Sequence, residues 1–216
     1  MPAHLCQLMS LSFCGENGIS VEFDDIDGTR QVMEYLFSLG HERIAYANIG
    51  GPWAAHPSVA LRHQTYLDCL RERGLKPMPL HDRGTEYPAN DFVKTVYEAG
   101  ATAVLAYHHH NAVYVMQAAG QLGIKIPEQM SLASFNDEFP LHLLHPMVTA
   151  VAMPAVEAGE VAAKYLVEQM QNGRREFKRI VLKQKLVIRD STVPPPRRTR
   201  AVRKSTGRRS AAQSVT

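Results

Sequence analysis

Apolar and polar positions alternate along this chain with two periods, one typical of strands and one typical of helices. Residues 102–107 form a short apolar run, the pattern of a strand buried on both faces. Apolar side chains then recur at every third position within residues 111–122, which predicts a helix that Gly123 ends. Residues 131–135 form a second apolar run. We therefore predict a parallel strand–helix–strand unit whose strands end at one sheet edge, where α/β proteins bind ligands.

The same alternation extends over most of the remaining chain. Apolar patterns predict strands at 8–13, 19–23, 44–49, 76–80, 148–152 and 180–188, the last being one strand or a tight hairpin. Helical stripes predict helices at 24–39, 59–73, 90–99 and 155–171. Strands that alternate with helices predict an α/β fold, in which a largely parallel sheet is flanked by helices.

Charge is unevenly distributed along the chain. The formal net charge is +3, yet residues 194–216 contain seven arginines and lysines and no acidic residue. The preceding part is therefore net negative and offers no basic groove for nucleic acid. We expect the basic stretch to be a disordered, solvated extension. Non-specific binding of DNA phosphates is the alternative.

Cysteine spacing and hydropathy favour a cytoplasmic protein without a membrane contact. Cys6, Cys14 and Cys69 share no metal-binding or redox spacing, which favours reduced thiols. The first residues lack the basic and apolar regions of a signal peptide. No apolar run approaches the roughly 20 residues that a membrane helix needs.

Several phrases, in this order, resemble the sensor domain of the LacI/GalR family of bacterial transcription regulators. They are Asp25-Ile-Asp-Gly28, Leu39-Gly-His-Glu-Arg-Ile-Ala45, Arg62 ahead of the 66–73 helix, Thr102-Ala-Val104, Gly123-Ile-Lys-Ile-Pro127, Ser131-Leu-Ala-Ser-Phe-Asn-Asp137, Pro146-Met-Val-Thr149, Gly159 with Ala162, and Ile188-Arg-Asp-Ser-Thr192. The resemblance spans roughly residues 19–192.

The resemblance implies a type I periplasmic-binding-protein-like fold of two lobes. Its expected divisions are a remnant of the first lobe at 1–23, the second lobe at 24–146, a strand and helix returning to the first lobe at 147–179, terminal strands at 180–192 and the basic tail at 193–216. The family's helix-turn-helix segment and most of its first lobe are expected to be absent from this sequence.

The implied function is effector sensing for a LacI-type DNA-binding transcriptional regulator. Operator DNA is then expected to be bound only through the absent amino-terminal segment. The alternative is a periplasmic-type sugar-binding protein of a transport system. An enzyme is not expected, because the chain has no Gly-x-Ser-x-Gly elbow and no phosphate-binding loop.

Arg62 is the first candidate for the effector site. The resemblance implies that it reaches into the cleft and uses its planar guanidinium to bind hydroxyls or a carboxylate of the effector. The residues alone also allow a surface arginine at a helix start. Ser58 matches a polar contact of the family, and a capping or loop serine is its alternative.

Three consecutive histidines follow the predicted strand at 102–107. Adjacent side chains of an extended segment alternate, so at most two of these rings share a face, and no cysteine or carboxylate lies at ligand spacing nearby. We therefore predict no metal site. His108 and His110 are expected to line the effector cleft, where a histidine makes binding sensitive to pH near neutrality. Helix capping or simple exposure is the alternative.

The remaining candidates concern the chemistry of the ligand. Asn136 stands where the family usually has an acid, and its amide suits a neutral hydroxylated ligand. Tyr87 and Trp53 each offer an aromatic face for a sugar, with Tyr87 favoured, although either side chain can equally serve in packing. The predicted effector is a small, polar, sugar-like molecule, and no cofactor is predicted.

Two segments match surfaces through which family members pair their subunits. They are the predicted helix at 111–122 and the segment 141–144. Leu141, Leu143 and Leu144 alternate with polar residues there and are expected to form an exposed apolar patch in a monomer. We therefore predict a homodimer with a two-fold contact.

Overall fold

The computed structural model describes residues 8–11, 18–48, 56–78, 89–172 and 178–196. The strands are β1 (Leu8–Leu11), β2 (Gly18–Phe23), β3 (Ile44–Ala47), β4 (Ala103–Ala106), β5 (Ser131–Phe135), β6 (Thr149–Ala152), β7 (Lys178–Leu182) and β8 (Lys185–Val187). The helices are α1 (Asp25–Ser38), α2 (Pro57–Glu72), α3 (Ala89–Glu98), α4 (His109–Leu122) and α5 (Ala155–Asn172), with a 3₁₀ helix at Leu141–Leu143. None of these described helices is both long and apolar enough to cross a membrane.

The larger sheet has the strand order β3-β4-β5-β6-β8, and only β8 runs antiparallel to its neighbour. Every residue of β4 and β5 is buried, as the apolar runs predict for covered strands. Alternate side chains face opposite layers. Val104 and Leu132 pack with the apolar faces of α3 and α4. Leu105 and Phe135 pack on the other face with α1 and α2. The predicted parallel sheet flanked by helices is confirmed.

The smaller sheet consists of β1, β2 and β7, all parallel. Helix α5 packs on it through Ala158 and Ala162, which contact Val21 and Leu182. This cluster is far smaller than the two clusters of the larger sheet. Most of the hydrophobic stabilisation in the described chain therefore comes from the larger layer.

The segment predicted as one terminal strand or a hairpin forms neither. β7 pairs with β2 in the smaller sheet, whereas β8 pairs with β6 in the larger one. The buried Gln184 lies between these strands, and its Nε2 donates to Asp25 Oδ1 at 2.9 Å. This contact anchors the crossing from one sheet to the other. β6 pairs with β5, so the chain leaves the larger sheet after Ala152, later than the boundary expected at residue 146.

Helix α4 buries a face that matches the predicted one only in part: Ala119 of the predicted stripe is buried, and Met116 packs against the core. Its buried positions include Ala112, Val115 and Ala118, whereas Leu122, at the end of the predicted stripe, is 38% exposed. Small side chains allow the helix to lie close to the sheet. The helix also begins earlier than predicted, because His108 caps it.

Two further expectations differ from the structure or fall beyond it. Residues 76–78 form no strand, and the rest of the strand predicted at 76–80 lies outside the described residues. Most of the basic tail, residues 197–216, also lies outside them. At the tail's expected start, Val193 is anchored to the larger sheet, because its backbone N–H donates to Ser131 Oγ at 3.0 Å.

Candidate functional site

A cavity of about 270 Å³ lies between the two sheets. One wall is the edge of the larger sheet at which the parallel strands end, where Tyr107 follows β4 and Asn136 follows β5. The other wall belongs to the smaller sheet and includes Phe23 of β2 and Val181 of β7. Clefts beyond the carboxyl ends of parallel strands are the usual ligand sites of α/β proteins.

Arg62 is a buried cation in this cavity, with a side chain only 4% exposed. Its Nε donates to Asp25 Oδ1 at 2.7 Å. Its Nη1 donates to the Tyr107 carbonyl oxygen at 2.9 Å and to Asn136 Oδ1 at 3.2 Å. The guanidinium also lies 4.3 Å from the ring centroid of Phe135, within cation–π range. Among the described residues these hydrogen bonds use Nε and Nη1, which leaves Nη2 for a ligand.

Helix α1 places Asp25 beside Arg62. Asp24 caps this helix by accepting a hydrogen bond from the Asp27 backbone N–H at 2.9 Å. The helix dipole stabilises the acids Asp25 and Asp27 in the first turn. Asp25 belongs to that turn and also pairs with the buried Arg62, a role that the sequence analysis missed. The two residues are 37 positions apart, so no local pattern connects them.

Asn136 and Asp137 directly follow β5 but have different roles. Asn136 is buried with a φ of 60°, a left-handed conformation that asparagine adopts more readily than most residues. Its Oδ1 accepts from Arg62, so its amide nitrogen is the donor available to a ligand. Asp137 instead accepts two hydrogen bonds from the Arg189 guanidinium, at 2.7 and 2.8 Å. Asp137 therefore ties β5 to the segment that follows β8.

Ser58 is fixed by two neighbours at the start of α2. His56 caps this helix, and its Nδ1 accepts from the Ser58 backbone N–H at 3.2 Å. Since Nδ1 is an acceptor, the Ser58 hydroxyl donates to it at 2.7 Å and accepts from the Tyr107 hydroxyl at 2.9 Å. Pro57 at the first helical position favours this geometry. Ser58 thus orients the rim of the cavity and is already hydrogen-bonded.

The three consecutive histidines do not form the extended segment that was predicted. His108 caps α4, while His109 and His110 are its first two residues. One ring nitrogen of each lies within 4.8 Å of the others, so the rings are gathered rather than alternating. His108 lines the cavity. His109 is buried, and His110 is exposed.

Burial determines the protonation of the cavity histidines. Burial first, then the neighbouring His109, His110 and Arg62, lowers the pKa of His108 to about 3. Burial also lowers the pKa of His56. His108 is therefore neutral at physiological pH. His108 therefore does not give effector binding the pH sensitivity near neutrality that was expected of it.

The smaller sheet contributes a second ion pair to the cavity wall. The Arg179 Nε donates to Glu22 Oε2 at 2.8 Å, and Ser20 Oγ donates to the other carboxylate oxygen at 3.0 Å. Glu22 and Arg179 both line the cavity. No local sequence pattern indicates this pair, because 157 positions separate the partners. Each wall of the cavity thus presents a paired arginine and carboxylate.

Most of the predicted contact residues meet at this cavity. The four that line it are Arg62, Asn136, Ser58 and His108. His110 is exposed and is not among the lining residues. Tyr87 and Trp53 lie outside the described residues, so their predicted stacking on a sugar stays a prediction.

Residues 33–192 match the family described as a periplasmic binding protein-like domain. A curated relative is the HTH-type transcriptional repressor CytR of Escherichia coli, 28% identical over 187 residues, which are 80% of this chain and 51% of the repressor. The chain spans about half the length of the curated relatives that it matches.

Solved structures of the same architecture include two named as LacI family transcriptional regulators. The regulator from Mycobacterium smegmatis is 30% identical, with a TM-score of 0.68 over 84% of this chain and 68% of that one. The regulator from Enterococcus faecium, solved with bound ribose, is 22% identical, with a TM-score of 0.74 over 87% of this chain and 71% of that one. The second likeness shows the fold alone.

Proposed function

Because this chain belongs to the periplasmic binding protein-like domain family, and within it to the LacI family of transcriptional regulators, we propose that it senses a small effector for a DNA-binding regulator. The observation that carries this proposal is the cavity between the two sheets, with the buried Arg62 in its wall. The curated relatives are named transcriptional regulators, which favours this role over a transport protein or an enzyme.

The proposed effector is a small, neutral, hydroxylated molecule such as a monosaccharide. A volume of about 270 Å³ is slightly below the range of roughly 300–1,000 Å³ for drug-sized ligands. The arginines of the cavity are already paired with Asp25 and Glu22, so a charged ligand would compete with existing ion pairs. A neutral ligand adds hydrogen bonds without breaking them. Ribose, bound by a protein of this fold, belongs to this class.

The proposed contacts are the donors that remain available around Arg62. They are its Nη2 and the amide nitrogen of Asn136, with His108 at the rim. Apolar side chains such as Phe23 and Val181 would cover the other side of the ligand. Ser58 positions Tyr107 and contributes to the shape of the cavity.

The remaining parts of the proposed regulator follow from its relatives. We propose that operator DNA is bound by a separate helix-turn-helix segment, because CytR is named an HTH-type repressor and this chain matches half of it. A regulator of this kind would act in the cytoplasm as a homodimer.

Calorimetry with a panel of pentoses, hexoses and nucleosides tests effector binding. For the sugar that binds, Arg62→Ala should weaken affinity by about 2–4 kcal/mol, because a buried charged donor is lost. Asn136→Gly should also weaken it, and glycine keeps the left-handed backbone. The matched control is Arg43→Ala, because Arg43 is exposed and, within the part of the chain that the structure describes, its side chain bonds only to the backbone carbonyls of Ala99 and Gly100.

Thermal unfolding of each variant separates loss of binding from loss of folding. The site assignment is wrong if folded Arg62→Ala and Asn136→Gly bind the sugar as tightly as the unchanged protein. If no member of the panel binds the folded protein, the proposed ligand class is wrong.

A further inference from the structure

Three histidine rings are gathered at the start of α4. Their centroids are 4.0 Å apart for His108 and His109, 4.1 Å for His109 and His110, and 5.1 Å for His108 and His110. One ring nitrogen of each residue lies within 4.8 Å of the other two. Only Tyr107 and His108 separate β4 from α4, so a buried strand and a helix packed on the same sheet fix the position of this turn.

The nitrogen spacing is close to that of a metal site. Zinc binds imidazole nitrogen at about 2.0–2.1 Å, so two nitrogens of a tetrahedral site lie about 3.3 Å apart. The Nδ1 atoms of His108 and His110 are 3.2 Å apart and share a hydrogen bond, which a metal ion bound between them would replace. His108 Nδ1 also accepts from the His110 backbone N–H, so metal binding at this atom would replace the helix cap as well. The third ring needs to move inward by about 1.5 Å at most to reach the same spacing. Rotation about side-chain bonds supplies movements of this size.

His109 gives a second, independent indication of a ligand. Its side chain is only 7% exposed, and its Nδ1 is buried without a hydrogen-bond partner among the described residues. Glu138 Oε2 lies 3.8 Å from this nitrogen, beyond hydrogen-bonding distance. A buried polar atom without a partner costs about 1–3 kcal/mol, and in native structures such atoms usually bind a water molecule or another partner.

We propose that His108, His109 and His110 bind one transition-metal dication. Imidazole nitrogens favour Zn²⁺, Ni²⁺ and Cu²⁺ over Mg²⁺ and Ca²⁺, which prefer oxygen ligands. The amino terminus of a helix opposes a cation. The carboxylate of Glu138 is half-exposed and adjacent, and it offsets part of this repulsion as a fourth or orienting ligand.

This metal site goes beyond the proposed effector function and overlaps the effector site at one residue. His108 belongs to both the histidine cluster and the cavity wall, so the ion would lie beside the effector. Neither the metal nor the effector requires the other for binding. Metal binding is therefore measured with no effector present.

Equilibrium dialysis of the full chain, prepared without a histidine tag, tests the site. With Zn²⁺ or Ni²⁺ we expect one equivalent of bound metal, and with Mg²⁺ none. Substitution by Co²⁺ should give the strong visible absorption of a four-coordinate ion. Failure of the folded chain to bind Zn²⁺ and Ni²⁺ would overturn the proposal.

Single substitutions identify the ligands. His110→Gln removes an exposed ring and should weaken Zn²⁺ binding at least 10-fold. His108→Asn should do the same while keeping a side-chain acceptor for the helix cap. The matched control is His142→Gln, an exposed histidine of the 3₁₀ helix, which should bind like the unchanged protein. Unchanged binding in both cluster variants, or an equal loss in the control, would contradict the assignment. Circular dichroism confirms the fold of each variant.

Discussion

Arg62 serves both folding and recognition at the residue scale. Arg62 and Asp25 form a buried ion pair. Arg62 also donates to the Tyr107 carbonyl oxygen, and Asp25 also accepts from Gln184. A complete buried ion pair contributes little net stability, but removing one partner costs about 3–5 kcal/mol, because the other charge stays buried. An Arg62 variant therefore needs a folding measurement beside the binding one. Asn136→Gly is the gentler test of the same site.

His41 predicts a pH dependence of stability. Only 1% of this residue is exposed, and its Nε2 donates to the Val193 carbonyl oxygen at 2.8 Å. Burial lowers its pKa below the ordinary value of 6.5, and the Val193 carbonyl opposes this only in part. Below pH 6.5, His41 therefore binds a proton in the unfolded chain but not in the folded chain. The free energy of unfolding should fall as pH drops from about 6.5, by at most about 1.4 kcal/mol per pH unit for this residue.

Urea unfolding of His41→Asn between pH 8 and pH 5 measures the contribution. The variant should be less stable at pH 8 by about 1–3 kcal/mol, because buried hydrogen bonds are lost. Its stability should also decline less steeply below pH 6.5. His142→Asn, at an exposed position, should keep the original slope. A His41→Asn slope equal to that of the unchanged protein would show that His41 is not the group responsible.

The site residues divide according to the kind of signal that the sequence carries. Arg62, Ser58 and Asn136 were found through the family resemblance, and His108 through its place directly after a predicted strand. The partners that hold the cavity together were missed, because ion pairs form between residues distant in sequence. Asp25 had an adequate local explanation as a helix start. The residues that line such a site can therefore be predicted from the sequence more readily than the ion pairs that hold them in place.

At the scale of elements, Gly28 determines how closely α1 approaches the larger sheet. A Cβ added there would lie 2.9 Å from Gln184 Oε1 and 3.1 Å from Val151 Cγ1. Gln184 cannot move freely, because its Nε2 is bonded to Asp25. Gly28→Ala should therefore destabilise the protein by about 1–3 kcal/mol through overpacking, even though alanine is the better helix former.

Gly120 is the matched control for this change. Gly120 lies in α4 and is exposed. A Cβ added there would have no neighbouring atom within 4 Å among the described residues. Gly120→Ala should stabilise the protein by about 0.5–1 kcal/mol through helix propensity alone. Chemical denaturation of the two variants measures the contrast. A Gly28→Ala protein as stable as Gly120→Ala would mean that the helix can shift at no cost.

Most strands and helices could be predicted from the sequence. Which strands pair with each other, and which helix face is buried, could be predicted less well. Apolar runs located β4 and β5, because strands covered on both faces need apolar side chains on both sides. The same runs do not specify a neighbour. The crossing between β7 and β8 depends on the buried Gln184, whose bonding partner lies 159 positions away. The buried face of α4 was predicted only in part, because Ala112, Val115 and Ala118 face the sheet rather than the larger side chains of the predicted stripe.

At the scale of the whole molecule, the alternation of strands and helices along the chain predicts the parallel α/β architecture. It does not predict that one sheet is larger than the other and has a larger core. The larger sheet has a core on each face, while the smaller one shares a single small cluster with α5. The cavity lies between these unequal layers. A ligand bound there would contact both sheets and so stabilise their relative position, by an amount that rises with the logarithm of its concentration divided by its dissociation constant.

The predicted dimer surface is changed by the structure but keeps its main feature. Leu141 is fully buried in the core, so it cannot belong to an exposed patch as predicted. Leu144 is partly buried against the same core, so only Leu143 of the three predicted leucines is exposed. Leu143 is 66% exposed, and Phe139, two residues before Leu141, is 69% exposed. Tyr114 and Leu122 are exposed on the adjoining α4. Large apolar side chains exposed together in this way commonly mark an interface.

Replacing exposed residues of this surface tests the homodimer. Leu143→Glu and Phe139→Glu each place a charge where a two-fold contact would bury it, and burying an unpaired charge is costly. We expect each to weaken dimerisation at least 10-fold in sedimentation velocity experiments. Val156→Glu is the control, because Val156 is 77% exposed on α5 and lies outside this surface. The surface is wrong if the control dissociates the dimer as strongly, since the added charge would then act without regard to position.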